Sequence, residues 1–348
     1  MAHLTVLCAA DLHLGRRPAG LAGTGVDRLS SADAWSNLVG RAVADGVDLV
    51  LLAGDVVDRF NRSFEAYGPL DQGIRSLKAA GIPVVAVAGN HDFDVLPDVA
   101  AEVGDGHLTV LGRGGAWERW TLKGQDGEPR LHVDGWSFPD QHWHDDPTMD
   151  YDPAAFGAPG GARDSAPGSV GGQAPGGMPG GAHGDVPVLG LVHGDLDQPA
   201  SPYAPLATSR LRSLDVAAWV LGHIHTPSLR EDPAGPSILY PGSVQALKAG
   251  ERGPHGAWLL ELEPGRRPAF RPVALSGVRY DRVDVDVGAV DDAAGLNAAV
   301  RTSLRAHLDQ VGQASVGPLK VVYCQVRLTG RTRLHGGVEA ALDGLGEL

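Results

Sequence analysis

The sequence predicts an α/β fold built on a parallel sheet, and three observations carry that expectation. Within the first ninety residues, apolar runs of strand length alternate with longer stretches of helical spacing, a βαβαβ order that calls for parallel strands. The runs, above all Leu49–Ala53, lack polar alternation, as strands buried on both faces do. Each run then stops in a polar cluster: Asp11-Leu12-His13, Gly54-Asp55-Val56-Val57-Asp58 and Gly89-Asn90-His91-Asp92. In open α/β sheets the ligand crevice lies just past the carboxyl ends of the strands, so these endings deliver carboxylate and imidazole to it.

In chain order, Leu4–Ala10 reads as the first strand and Ser31–Ala44 as a helix burying Ala34, Leu38, Ala42 and Val43. After Leu49–Asp58, a second helix over Ala66–Ala80 buries Leu70, Ile74 and Leu77 and stops at Gly81. Val84–Ala88 is the third strand. Asp11 and His13, two residues apart, would point to one side of an extended segment. Leu108–Leu111, Ala116–Leu122 and Arg130–Val133 alternate with glycine turns and are expected as antiparallel strands of a second sheet. His132, His142 and His144 stand nearby among Trp136, Phe138 and Trp143, either lining a cleft or packing in an aromatic turn.

Residues 153–185, including His183, are rich in Gly, Ala and Pro without periodicity; they read as a disordered insert, because such a segment cannot offset its ordering entropy by burial. The pattern then resumes. Val186–Val192 is a strand ending in His193-Gly194, a short helix covers Leu206–Ser213, and Val216–Leu221 is a strand ending in Gly222-His223-Ile224-His225. Ala257–Glu263 and Ala269–Leu275 close the sheets. Val278–Val287, a helix over Asp292–Leu308 and Leu319–Leu328 form a βαβ-like tail.

The 348 residues are 43% apolar, enough for a sizeable core. A net charge of −13 argues against a protein that grips polyanions with its whole surface. It does not exclude a phosphate substrate, since bound cations dominate the local potential. Two cysteines, Cys8 and Cys324, make neither a disulfide framework nor a metal spacing, and no apolar run reaches membrane-spanning length; a soluble, cytoplasmic protein with no membrane role is expected.

Five of the fourteen histidines stand at predicted strand ends, beside carboxylates. Asp and Asn at such places also cap helices and make turns; the repetition of the device favours ligation instead. Mixed carboxylate and imidazole donors suit Mn, Fe or Zn better than Ca or Mg; Mn is the first candidate, with Fe, Zn and Mg as alternatives.

In order and spacing, these five blocks resemble the calcineurin-like metallophosphoesterases over about residues 4–275. Tyr240-Pro241-Gly242-Ser243 and Val326–Thr332 are similar to the DNA-repair exonuclease (SbcD-type) branch. The resemblance implies a two-sheet metallophosphoesterase sandwich flanked by helices over residues 1–276, plus a small α/β C-terminal cap over 277–348. It implies two divalent metal ions, one held by Asp11, His13 and His225, the other by Asn90, His193 and His223, with Asp55 bridging. His91 would assist departure of the leaving oxygen, and Asp58 would accept a hydrogen bond from His91.

Two cations about 4 Å apart generate a bridging hydroxide and clamp the phosphoryl oxygens. The reaction implied is that of a two-metal phosphodiesterase, a DNA exonuclease or endonuclease acting in repair. The alternatives are a phosphoesterase on a nucleotide, cyclic nucleotide or phosphoprotein, and a non-catalytic scaffold. Arg16, Arg17, Arg59 and Arg62 follow the metal motifs and would either grip a nucleic-acid backbone or be ordinary solvated side chains. The resemblance also implies an SbcC-type ATPase partner and a homodimer. It departs from that branch in offering only a short helix, near Val338–Leu345, beyond the cap.

Overall fold

The computed structural model describes residues 3–21, 29–58, 64–156, 186–314, 317–334, 338 and 342. In chain order its elements are β1 (Leu4–Ala9), α1 (Ser31–Asp45), β2 (Leu49–Ala53), α2 (Phe64–Ala79), β3 (Val84–Val87), α3 (Leu96–Glu102), β4 (Leu108–Val110), β5 (Glu118–Lys123), β6 (Pro129–Trp136) and β7 (Val188–His193). There follow α4 (Thr208–Ser213), β8 (Ala218–Gly222), β9 (Ser228–Arg230), β10 (Ser237–Tyr240), β11 (Gly256–Leu262), β12 (Ala269–Ala274), β13 (Val278–Asp286), α5 (Ala293–Ala314) and β14 (Val321–Thr329).

The first sheet has the order β12-β11-β1-β2-β3-β4, with β1 to β4 parallel and β11 and β12 antiparallel. The second runs β5-β6-β7-β8-β10-β9. The run at Leu108 does not join this second sheet as an antiparallel strand. As β4 it pairs in parallel with β3 in the first, because α3 supplies the helical crossover that returns a chain parallel to itself. Antiparallel pairing in the second sheet is confined to the β5–β6 and β9–β10 edges, and its centre is parallel.

Leu49, Leu51, Val85 and Val87 from one sheet and Leu131, Val133, Leu189, Leu191 and Val220 from the other fill the space between the sheets. Helices α1 to α3 cover the outer face of the first sheet through Trp35, Leu38, Leu70, Ile74 and Leu77. Val43, expected in that stripe, is instead 44% exposed, and Val39 takes the inward place. The outer face of the second sheet lies under α4 and an aromatic layer of Trp136, Phe138, Tyr151 and Trp219. Each such side chain contributes about 1.5–3 kcal/mol on burial. The strands that carry the polar endings are therefore pinned from both faces.

The first residues of the expected insert are ordered. Pro153–Phe156 form a 3-10 turn. The preceding Tyr151 donates to buried Asp134 on β6 (2.7 Å), which also takes a two-pronged ion pair from Arg119 (2.6 and 2.7 Å). Residues 157–185, with His183, lie outside the described residues, as does most of the expected helix near Val338–Leu345. In the tail, β13 and β14 pair in parallel with α5 packed on Val283 and Val285, and the helix runs six residues beyond Leu308, to Ala314. Val278 and Tyr280 join the tail to Leu21, Leu29 and Ala246. Among the described residues no helix is long and apolar enough to cross a membrane.

Candidate metal centre

Parallel register sets the ends of β1, β2 and β3 side by side, with Ala9 opposite Leu52 and Ala53 opposite Val87. The pairing continues past the strands through Asp11 N–H to the Gly54 carbonyl (3.1 Å) and His13 N–H to the Asp55 carbonyl (2.9 Å). From the facing sheet, β7 and β8 end together at His193 and Gly222. The extended segment expected for Asp11 and His13 is instead left-handed backbone, with φ of 50° and 43°. Asp55 (51°) and His223 (95°) share this feature. Such conformations cost about 1–3 kcal/mol each and cluster where the surrounding structure turns side chains to a task.

Here the backbone turns the side chains of both sheets toward one point. Asp55 Oδ2 stands 3.7 Å from His13 Nε2 and 3.6 Å from His193 Nε2. His13 Nε2 and His225 Nε2 are 3.0 Å apart, and Asp11 Oδ1 is 3.9 Å from the latter. Asn90 Oδ1 lies 3.2 Å from His193 Nε2. His223 closes the far side, its ring 5.3 Å from that of His193 and its backbone N–H on Asp11 Oδ1 (3.1 Å). Donor atoms of Asp11, His13, Asp55, Asn90, His193 and His225 thus lie together, while the His223 ring stands beside them with its Nε2 facing Asp195 at 3.5 Å. Triplets of donor atoms from Asp11, His13 and His225, and from Asp11, Asp55 and His193, fall within 4.8 Å of one another.

The electrostatics suit a cation. Burial pushes the carboxyl of Asp11 up to about 7, opposed by His225 and reinforced by the Asp55 charge. Burial also pushes Asp55 upward, but the imidazoles of His193, His13 and His91 outweigh it and hold the carboxyl at about 2. His13 and His223 are lowered, and His193 falls to about 4, chiefly by burial. Burial thus favours the neutral form of His13, His193 and His223, the form a divalent ion requires of imidazole ligands, whereas it favours the protonated form of Asp11, and the Glu251 hydrogen bond raises His225 against it. His193 Nδ1 lies 2.9 Å from the Ala53 carbonyl, which fixes Nε2 as the inward lone pair.

The residues around this core were less legible. Asp92, quoted in the sequence only as part of a strand ending, is fully buried and ties two of the loops together. Its Oδ2 accepts the Val56 and Val57 N–H groups (2.7 and 3.2 Å), and its Oδ1 accepts that of Gly89 (2.8 Å). Asp92→Ala would strand three buried donors and is expected to cost about 3 kcal/mol in urea unfolding; a loss below about 0.5 kcal/mol would show that the loops hold without it. Glu251 accepts from His225 Nδ1 at 2.7 Å, and Asp195 lies 3.5 Å from His223 Nε2. Neither belongs to a spacing that sequence reading recognises.

Asp58 Oδ2 is 3.7 Å from His91 Nδ1, an ion-pair distance and not a hydrogen bond, and is nearer to His13 Nδ1 at 3.4 Å. Arg16 Nε is 3.5 Å from the same oxygen, so this arginine reaches the centre while remaining 43% exposed. Arg17 is exposed, and Arg59 and Arg62 lie outside the described residues. His132 is engaged by Thr121 across the β5–β6 pair. His142 lies against Tyr203, which in turn lies against His223; His144 is exposed.

Residues 4–164 match the calcineurin-like phosphoesterase family, and residues 280–347 match the middle domain of metallophosphoesterase YhaO. The comparisons support a place in the calcineurin-like metallophosphoesterase superfamily. The chain is 27% identical over 273 residues to the uncharacterized metallophosphoesterase YhaO of Bacillus subtilis, covering 75% of this chain and 58% of that protein. It is 27% identical over 312 residues to the DNA double-strand break repair protein Mre11 of Aeropyrum pernix, covering 88% of this chain and 68% of that one. A dimetal phosphatase from Danio rerio is similar at 16% identity over 78% of this chain and 96% of that chain, with a TM-score of 0.45. The chain thus spans little more than half the length of its YhaO relative.

Proposed function

We propose that the chain is a phosphodiesterase using two divalent ions, with manganese the first candidate and DNA the substrate. The observation that carries this reading is the place of Asp55, whose Oδ2 faces imidazoles from both sheets at nearly equal distance. Asp11, His13 and His225 would hold one ion, Asn90, His193 and His223 the other, and Asp55 both. Bound there, the ions would acidify water and neutralise phosphoryl charge.

The chain's own groups do the rest. The left-handed turns at Asp11, His13 and Asp55 hold the donors before any ion arrives. His91 is 28% exposed on its side chain, against 1% for His13 and none for His193, so it can meet a substrate from solvent. Asp58 stands on the inner side of its ring at ion-pair distance, and the other ring nitrogen would give a proton to the leaving oxygen. Similarity to a DNA double-strand break repair protein over 88% of the chain supports DNA as the diester. The net charge of −13 favours a second reading, a smaller phosphoester.

The test is hydrolysis by the full chain with Mn(II), comparing labelled single- and double-stranded DNA with bis-p-nitrophenyl phosphate. DNA degradation is expected. His91→Ala should lower it by about 10²-fold or more, with a much smaller loss on the nitrophenyl diester, whose leaving group needs no proton. Cleavage of the small diester alone would transfer the proposal to the second reading. Cleavage of neither would favour a scaffold.

A further inference from the structure

We propose that Glu251 is the positioning residue of His225, selecting the imidazole tautomer and ring plane that turn Nε2 toward Asp11 and His13; this rests on the metal-centre reading above. Glu251 is 3% exposed, a buried carboxylate with both oxygens engaged. Oε1 lies 2.7 Å from His225 Nδ1. Oε2 accepts the Leu247 N–H at 2.7 Å and faces the Ser243 hydroxyl at 3.5 Å. With both oxygens so used, Glu251 is not free to act as a ligand, and its charge acts on the centre through His225. Lys248 Nζ, at 3.9 Å and 69% exposed, is the cation nearby, and it stays in solvent.

The loop that carries Glu251 is itself fixed from three sides. The Leu247 carbonyl accepts from Ala19 N–H (2.8 Å), just beyond the first metal motif. Gly253 N–H donates to the Tyr280 carbonyl at the start of β13 (2.9 Å). Ser243 Oγ meets His255 Nδ1 at 3.0 Å inside the core. A carboxylate held this firmly defines the direction of the imidazole it faces. The two inward imidazoles are thus oriented differently: His193 by the neutral Ala53 carbonyl, His225 by a charged group on a loop shared with the C-terminal unit. A carboxylate behind a ligating histidine raises its basicity and fixes its tautomer, and its loss typically costs 10- to 100-fold in metal affinity.

The experiment titrates Mn(II) into the full chain, counting free ion by electron paramagnetic resonance, for wild type, Glu251→Ala and Glu251→Gln. Nitrogen-15 histidine spectra of the same three proteins without metal report the His225 tautomer. Two ions are expected in the wild type. Glu251→Ala should weaken one of them about 10- to 100-fold and leave the other unchanged, while His225 loses its pure Nδ1–H form. Glu251→Gln, which retains an acceptor for that proton, should recover part of both signals. Two unchanged affinities and an unchanged tautomer in Glu251→Ala would overturn the assignment while leaving the metal centre standing. Equal weakening of both ions with unfolding in either variant would make Glu251 merely structural. No binding in the wild type would remove the metal-centre reading, and the metal-free tautomer would still decide what Glu251 does to His225.

Discussion

Asp55→Asn is expected to lower phosphodiester hydrolysis by about 10³-fold or more while leaving the fold in place. The side-chain amide keeps an oxygen for the His91 N–H that Oδ1 accepts at 3.0 Å, so the loop between β2 and α2 has no reason to move. What disappears is the negative charge between His13 and His193, which under the proposed reading would serve both ions. Removing a single preorganised electrostatic contact to a transition state typically costs 10²- to 10³-fold, and this one would also anchor the proposed cations. Steady-state hydrolysis with Mn(II), beside a thermal melt of the same protein, checks the result. Activity within tenfold of wild type in a folded variant would show that Asp55 is not the bridging ligand.

The largest structural effect is expected from Gly222→Ala. A Cβ at Gly222 would collide with the Ala53 carbonyl oxygen and with His193 Nδ1, the two partners whose contact orients that imidazole. Overpacking a closed site costs about 1–3 kcal/mol, and here the obstacle is the backbone of β2, which cannot rotate away. A loss near 3 kcal/mol would lower the melting midpoint by roughly 6 °C or more, with weaker Mn(II) binding as His193 is displaced. Gly40→Ala serves as the control. That glycine sits in α1 with open space where a Cβ would stand, so alanine there should be neutral or stabilising by up to about 1 kcal/mol. If Gly222→Ala melts with the control, the close approach of the two sheets at His193 is not a constraint.

The cluster of the candidate site was legible in the sequence because its carboxylates and imidazoles terminate strands. A run such as Leu49–Ala53 that ends in Gly54-Asp55 sets a carboxylate at the edge where a crevice forms, and five such endings favour a shared site over separate caps and turns. What stayed hidden came from long-range geometry. Glu251 belongs to a loop between β10 and β11 and reaches His225 across 26 residues, with no periodicity to announce it. The left-handed turn at His13 reverses the extended reading of Asp11-Leu12-His13, because donors on parallel strands must curl inward to meet. The short β4 was misread because Leu96–Glu102, only seven residues long, leaves a weak helical signal; without that helix a parallel crossover is invisible.

Mn(II) stoichiometry read by electron paramagnetic resonance tests most directly whether two ions share Asp55. Two ions per chain are expected in the wild type, with the signal of a magnetically coupled pair. In Asp55→Asn the coupling should vanish and at least one ion should be lost. A coupled pair that survives Asp55→Asn, or a wild-type chain that binds no Mn(II), would contradict that sharing.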